Sequence, residues 1–251
     1  MRGIAGRRIV VCGASRGIGL AVAQRLYEDD ATLLLADRNE PVLREAVAAW
    51  DGGQPLTLET YEQGDPRSIE RLVERIDDWG QADAICIVAG VHPGLVAMAD
   101  VTAELMEEIH AVNVRGATLL ASMVLSRFRA AGRGSLVAIG SVAGLRPEPR
   151  DAIYASSKAA LHAAMTSFSQ EVAADGVRVN TILPGIVDTP LFRSQLERPE
   201  EWDEITATIP ARRIGLGSEV AAAAAFLLSD EASYITGVQL VVDGGLAVGH
   251  G

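Results

Sequence analysis

The feature that most restricts this chain is an alternation. Short, uninterrupted apolar runs rich in β-branched residues are each followed by a segment of helical periodicity. Ile9-Val10-Val11-Cys12 opens the series, and 20–29 follows at helical spacing. Residues 32–36, 56–61, 84–88, 135–139, 177–183 and 238–242 read as further strands. Helices are expected from the end of the second strand to about Trp50, then over 68–79, 103–129, 154–174 and 218–228. Strands that are apolar throughout are buried on both faces, as in a parallel sheet held between two helical layers. The expected architecture is α/β: a doubly wound, Rossmann-like parallel sheet of about seven strands with helices on both faces. No repeat, low-complexity tract or linker interrupts the rhythm, so residues 1–251 are expected to form a single domain.

Composition narrows the function classes. Apolar residues make up 49% of the 251, which excludes disorder as a description of the whole chain and suits a large core. Lys plus Arg number 22 and Asp plus Glu 33, so the formal charge is 22 − 33 = −11. Nucleic acid as a general partner needs clustered cations and is not expected. An anionic cofactor held by backbone amides remains compatible with that charge. The two cysteines, Cys12 and Cys86, sit in apolar runs and suggest buried free thiols in a reducing compartment. The N-terminal segment has no long apolar stretch. The longest apolar run, 220–228, is far below the ~20 residues of a membrane span. A soluble, cytoplasmic protein with no membrane partner is the expectation.

Between the first strand and first helix lies Gly13-Ala14-Ser15-Arg16-Gly17-Ile18-Gly19. Glycines let a backbone turn sharply and approach a pyrophosphate, and the helix N-terminus then offers free N–H groups and partial positive charge. The spacing is G-x-x-x-G-x-G, and its place between strand and helix gives it meaning. Asp37 ends the second strand, where a carboxylate accepts from a ribose diol and repels a 2′-phosphate. That favours NAD(H). Arg38 beside it and Arg16 in the loop keep NADP(H) open.

Tyr154 and Lys158 stand at i and i+4, on one helix face. Ser141 follows the strand ending at Ile139, and Asn113 lies within the 103–129 segment. An alcohol–ketone interconversion needs a proton moved at the oxygen, and a free tyrosine, with a pKa near ~10, is a poor base at neutral pH. An ammonium ~4 Å from the phenol, at an effective dielectric of about 20, favours the phenolate by about 4 kcal/mol. That is roughly three pKa units and would bring Tyr154 near neutrality.

With these motifs the sequence resembles the single-domain short-chain dehydrogenases/reductases, over nearly its whole length. The resemblance extends to Pro184-Gly185-Ile186-Val187-Asp188-Thr189-Pro190, Ile235-Thr236-Gly237 and Val242-Asp243-Gly244-Gly245. It implies an oxidoreductase with an Asn113–Ser141–Tyr154–Lys158 tetrad. Tyr154 would be the acid/base, Lys158 its electrostatic partner and a ligand of the nicotinamide ribose. Ser141 would hydrogen-bond the substrate oxygen, and Asn113 would hold a water relaying protons from Lys158. It also implies cofactor contacts from Gly13, Ser15, Arg16, Gly17, Ile18, Gly19, Asp37, Arg38, Ala89, Gly90, Pro184, Gly185, Val187 and Thr189. Glu62 would meet the adenine amino group, with the Gln63 backbone N–H beside it. A homotetramer is implied too, with the small residues Ala155, Ala159, Ala160, Ala163 and Ala164 and Phe168 of the Tyr154 helix permitting close packing.

The sequence departs from the family pattern in places. Ile87-Val88-Ala89-Gly90 stands where the family has Asn-Asn-Ala-Gly, so an apolar brace is expected to replace two amides. Cys12 and Cys86 fall on strands the fold would make neighbours, and are expected to be buried thiols and not a redox pair. His92, which follows Ala89-Gly90, is expected to be a solvated loop residue, with a place near the active site as the alternative. His110, His162 and His250 are scattered without metal spacing, and no metal is expected. The resemblance implies that Asp151, three residues before Tyr154, faces the substrate, where a carboxylate would disfavour anions and suit hydroxyl-bearing or cationic substrates; the alternative is a solvated charge run. Residues 190–213 carry Phe192, Trp202 and three prolines and are expected to form a substrate lid.

The leading expectation is NAD-dependent oxidation or reduction between a secondary alcohol and a ketone. The alternative is an NADPH-dependent reductase of 3-oxoacyl thioesters, for which Arg127, Arg129 and Arg133 could contact an acidic carrier. A catalytically idle nicotinamide sensor should have lost Tyr154 or Lys158, and both are present.

Overall fold

A computed structural model describes residues 1–50, 53–196 and 198–248. His250 lies outside them. In chain order the main elements are β1 (Arg8–Cys12), α1 (Gly17–Glu28), β2 (Thr32–Asp37), α2 (Glu40–Val47), β3 (Leu56–Thr60) and α3 (Pro66–Asp78). Then come β4 (Ala84–Ile87), α4 (Ala103–His110), α5 (Ala117–Ala131), β5 (Gly134–Ile139), α6 (Ala152–Val172) and β6 (Val177–Pro184). Two short helices, α7 (Pro190–Arg193) and α8 (Glu201–Thr208), precede α9 (Gly217–Leu228) and β7 (Gln239–Val242).

The strands form one seven-stranded sheet in the order β3-β2-β1-β4-β5-β6-β7, parallel throughout. Strand order reverses between β1 and β4, which opens a crevice at the carboxyl ends of the strands, the usual ligand position in such sheets. Two apolar cores lie on the two faces. Val22, Leu26, Leu43 and Val47 of α1 and α2 pack with Val220, Ala224 and Leu228 of α9 on one. Ile69, Leu72 and Ile76 of α3 meet Leu120, Val124 and Phe128 of α5 and Leu161 and Met165 of α6 on the other. Register places Val11 opposite Cys86 and Cys12 opposite Ile87. The two cysteines therefore enter different cores, and both thiols are free.

Local chemistry sets the helix starts. Asn39, Asp65 and Thr102 each accept a backbone N–H of the first turn of α2, α3 and α4, the standard N-cap bond. Gly132 closes α5 in the left-handed region at φ 68°. The expected 103–129 helix is in fact interrupted. Residues Ala111–Gly116 form a single widened π-turn between α4 and α5, and Asn113 lies in it. Such π-turns are rare and concentrate at functional sites.

The 190–213 segment holds α7 and α8. Phe192 and Trp202 bring them together with ring centroids 5.8 Å apart, and Arg193 lies 5.6 Å from the Trp202 ring while pairing with Asp188.

Candidate active site

The crevice is lined first by the loop after β1. A Cβ on Gly13 would lie 2.6 Å from the Ala89 N, and one on Gly19 would lie 1.9 Å from the Gly13 carbonyl oxygen. Both positions therefore exclude every side chain, and the loop closes tightly onto α1. Residue Arg16 at the N-cap of α1 makes no side-chain capping bond. The Ser15 Oγ is buried without a hydrogen-bond partner. Ile18 is half-buried in the first turn of α1, and Gly17 (φ 56°) packs against Thr189, whose Oγ1 caps α7 by accepting from the Phe192 N at 3.1 Å. Pro184, Gly185 and Val187 continue from β6 beneath α7, Gly185 donating to the Val242 carbonyl at 3.0 Å.

Asp37, at the end of β2, is 8% exposed. One carboxylate oxygen accepts the Ser15 N–H at 3.0 Å and the other the Asn39 N–H at 3.1 Å. Each oxygen keeps lone-pair capacity for a further donor. Arg16 and Arg38 on either side are exposed, and neither has an ion-pair partner among the described residues. Glu62 turns an oxygen back towards the Gly64 N at 3.4 Å.

Gln63 departs from the expectation. Its buried side chain donates to the Ala89 carbonyl at 2.8 Å and the Val112 carbonyl at 2.9 Å, and accepts from the Tyr61 hydroxyl at 3.3 Å. The brace after β4 is therefore not purely apolar. One carboxamide from β3's end ties the Ala89-Gly90 turn to the π-turn. Asn113 adds a second tie. Its Oδ1 accepts the Val91 N–H, and its Nδ2 donates to the Val91 carbonyl, each at 2.9 Å, and to Ser157 Oγ at 3.0 Å. Both amide donors are thus committed to the protein, so the side chain is a strut and has only one free lone pair for a water. A Cβ on Gly90 would stand 3.2 Å from Lys158 Nζ and 3.3 Å from Asn113 Oδ1.

Helix α6 carries the rest. Tyr154 has the Ser141 hydroxyl close enough to favour its ionised form. Lys158 Nζ lies 5.6 Å from the Tyr154 ring centre and donates to the Ile139 carbonyl at 3.1 Å. The expected approach of Tyr154 to neutrality is not met. Burial pushes its phenol up to about 12, the Ser141 hydrogen bond opposes the rise and the Asp151 charge adds to it. Burial also draws Lys158 down to about 8. The ~4 Å phenol–ammonium contact assumed from spacing alone neglected desolvation of both groups, which here outweighs their attraction.

Two histidines lie close to Tyr154 and Ser141. His92 is not a solvated loop residue. Its ring stacks on Tyr154 with centroids 4.2 Å apart, and its Nε2 lies 3.3 Å from Asp151 Oδ1. Asp151 is likewise buried and not part of a solvated charge run. His162 lies under the Ser141 turn, where its Nε2 accepts the Ser141 N–H at 3.3 Å. A Cβ on Gly140 or Gly144 would overlap its ring, at 2.3 and 2.5 Å. Burial, then the Lys158 charge, hold its pKa down at about 4, so the ring is a neutral acceptor. Its signal in the sequence was the spacing 154, 158, 162, three successive turns of one helix face.

Known proteins resemble this chain over nearly its whole length. A family model described as enoyl-(acyl carrier protein) reductase matches residues 13–247. Glucose 1-dehydrogenase of Gluconobacter oxydans (strain 621H) is 34% identical over 97% of this chain and 93% of its own. The 3-oxoacyl-[acyl-carrier-protein] reductase FabG of Escherichia coli (strain K12) is 35% identical over 96% of this chain and 97% of its own. A solved structure described as a short chain dehydrogenase/reductase family protein superposes with a TM-score of 0.88 at 30% identity, covering 98% of this chain and 100% of that one.

Proposed function

The chain belongs to the short-chain dehydrogenase/reductase family of NAD(P)(H)-using oxidoreductases, and on that premise we propose that it interconverts a secondary alcohol and a ketone, with NAD(H) preferred. The observation that carries the reading is the grouping of Tyr154, Ser141 and Lys158: the Ser141 hydroxyl acts on the phenol, and the Lys158 ammonium lies 5.6 Å from its ring.

The crevice fits a dinucleotide. The orphaned Ser15 Oγ, the uncapped start of α1 and the glycine turn would take the phosphates and adjacent ribose. Asp37 would accept from the ribose diol, with Glu62 and the Gln63 backbone beside the adenine. Ala89, Gly90, Pro184, Gly185, Val187, Thr189 and the Lys158 ammonium would border the nicotinamide half. When bound, the nicotinamide supplies or accepts the hydride.

Tyr154 moves the proton at the substrate oxygen. Its raised pKa keeps the phenol protonated at neutral pH, so the proton needed for ketone reduction is in place. In alcohol oxidation the positive charge of Lys158 lowers the cost of forming the phenolate. Ser141 donates to the oxygen as negative charge develops there. Lys158, drawn to about 8, can pass a proton on near neutral pH. Asn113 fixes the Val91 loop and the π-turn so that these groups keep their places. The 190–213 segment, with Phe192 against Trp202, would close over the substrate.

A homotetramer accords with the small side chains of Ala159 and Ala163 on the exposed face of α6, although Ala155 faces the core. The thioester alternative draws support from the FabG relative and from Arg16 and Arg38. It loses support at the carrier surface, since Arg127, Arg129 and Arg133 are already paired with Asp77, Asp175 and Asp83.

The test is titration with NADH and with NADPH by nicotinamide fluorescence, then turnover of cyclic secondary alcohols by the wild type and by Tyr154→Phe. Tighter NADH binding and a ~10²–10⁴-fold loss of turnover in the variant, with cofactor binding kept, are expected. Full turnover in the variant sinks the Tyr154 assignment. Tighter NADPH binding moves the thioester reading to first place.

A further inference from the structure

Asp151 occupies the N-cap of α6, yet its side chain accepts no N–H of the first turn. An aspartate at this position ordinarily contributes about 1 kcal/mol by doing so. Instead its carboxylate is buried, its side chain 9% exposed, beside the Tyr154 ring. His92 Nε2 lies 3.3 Å from its Oδ1 but off the line of a hydrogen bond, so Oδ1 has no donor aligned on it. The His92 Nδ1 accepts the Gly94 N–H at 2.9 Å, so the proton of the neutral ring sits on Nε2, on the Asp151 side. A buried carboxylate oxygen with no donor aligned on it is costly unless a further donor completes it.

The surroundings hold this pair in place. Val91 is pinned by Asn113, and Val96 donates to the Arg150 carbonyl at 2.8 Å, so His92 lies on a loop anchored at both ends. Arg150, next to Asp151, is held at φ 69°, in the left-handed region that a side chain of its kind rarely adopts. Such strain persists only where the surrounding structure imposes it, and it gathers at ligand sites.

We propose that Asp151 and His92 form a subsite for a second hydroxyl on the substrate, adjacent to the reacting carbinol carbon. The substrate class is then a vicinal diol, or the corresponding α-hydroxy ketone in reduction. This rests on the alcohol–ketone reading above and adds no step to its chemistry. Tyr154 and Ser141 hold the reacting oxygen. The neighbouring hydroxyl donates to the Asp151 carboxylate and can accept from His92 Nε2–H. A carboxylate in that place meets the Asp151 charge and is rejected.

The experiment compares kcat/KM for trans-cyclohexane-1,2-diol, cyclohexanol and 2-hydroxycyclohexanecarboxylate, using the wild type and Asp151→Asn with the preferred nucleotide. A hydrogen bond to a charged acceptor corresponds to roughly a tenfold to hundredfold preference for the diol over the mono-alcohol. The wild type should display that preference and turn over the hydroxy acid least. In Asp151→Asn the diol-to-mono-alcohol ratio should fall several-fold, and as a ratio it cancels effects of the substitution on Tyr154 common to both substrates. Equal turnover of diol and mono-alcohol by the wild type overturns the subsite without needing the variant, as does a ratio unchanged in a folded variant. Turnover of none of the alcohols with either nucleotide overturns the alcohol reading and the subsite with it.

Discussion

Replacing Lys158 with Met should stabilise the fold near neutral pH, and the gain should vanish in alkali. Lys158 is 3% exposed and has one hydrogen bond, to the Ile139 carbonyl, with no carboxylate paired to it among the described residues. Burial lowers its pKa from 10.5 to about 8, a difference of about 2.5 units. At ~1.36 kcal/mol per unit, keeping this ammonium charged in the folded state costs about 3 kcal/mol at pH 7. Methionine removes that cost and leaves the carbonyl without its donor, a loss of about 1 kcal/mol. The net gain is about 2 kcal/mol, on the order of 5 °C in Tm for a chain of this size.

The pH dependence isolates the cause. Below pH 8 the lysine is protonated in both folded and unfolded chains, so the gain is constant. Between about 8 and 10.5 the folded chain releases its proton while the unfolded chain keeps it, and wild-type stability rises by up to about 3 kcal/mol. Cys12, Cys86 and Tyr154, all raised by burial, pull the other way at high pH, because the unfolded chain ionises first. They are present in both proteins and largely cancel in the difference. Urea unfolding at one protein concentration, at pH 7, 8, 9 and 10.5, measures it. Lys158 is the only lysine in the chain, so 15N-lysine labelling gives a single side-chain signal whose titration reads the group directly. A stability difference constant across that range, or a signal titrating near 10.5, refutes the reasoning.

His162→Leu removes the acceptor of the Ser141 N–H at 3.3 Å and should lower kcat roughly tenfold with little change in KM, while His162→Gln, which restores an acceptor, should recover most of it. Equal kcat in the Leu and Gln variants, with circular dichroism unchanged, would mean that the ring only fills space. Asp37→Asn removes the charge that repels a 2′-phosphate and leaves Arg16 and Arg38 exposed beside the site, so the ratio of NADPH to NADH dissociation constants should shift about tenfold towards NADPH. An unchanged ratio would remove Asp37 from cofactor selection.

The sheet was legible because strands buried on both faces leave continuous apolar runs, as Leu33-Leu34-Leu35-Ala36 does, and neighbouring strands carry their own record of it. The glycine turn, Tyr154 and Lys158 were legible because their spacing is local. What stayed hidden depends on contacts between distant segments. The π-turn at Ala111–Gly116 has no compositional mark, since an extra residue in a helix looks like any other. Gln63 could be placed after β3, but its reach to Ala89 and Val112 follows from how β3, β4 and the π-turn converge. His92 looked like a loop residue because nothing in its neighbours announces Asp151, 59 positions later in the chain.

Asp151, Tyr154, Lys158 and His162 follow at intervals of three, four and four, and so share one face of α6. That face is turned into the protein. A helix with four polar groups on its buried side is a poor structural element by hydrophobic patterning alone. It is tolerable because each group leans on a different segment: Asp151 on His92, Tyr154 on Ser141, Lys158 on the Ile139 carbonyl, His162 on the Ser141 N–H. Only the carboxyl edge of the sheet brings those segments together, so the site and the topology are inseparable. The choice of cation follows from the same burial. Of the 22 basic side chains, every one but Lys158 is arginine. An arginine at 158 would keep its charge at any accessible pH and present a wide planar fork where one point donor fits beside Gly90. Only an ammonium can be drawn by burial to a pKa at which it both carries charge for Tyr154 and releases a proton near neutrality.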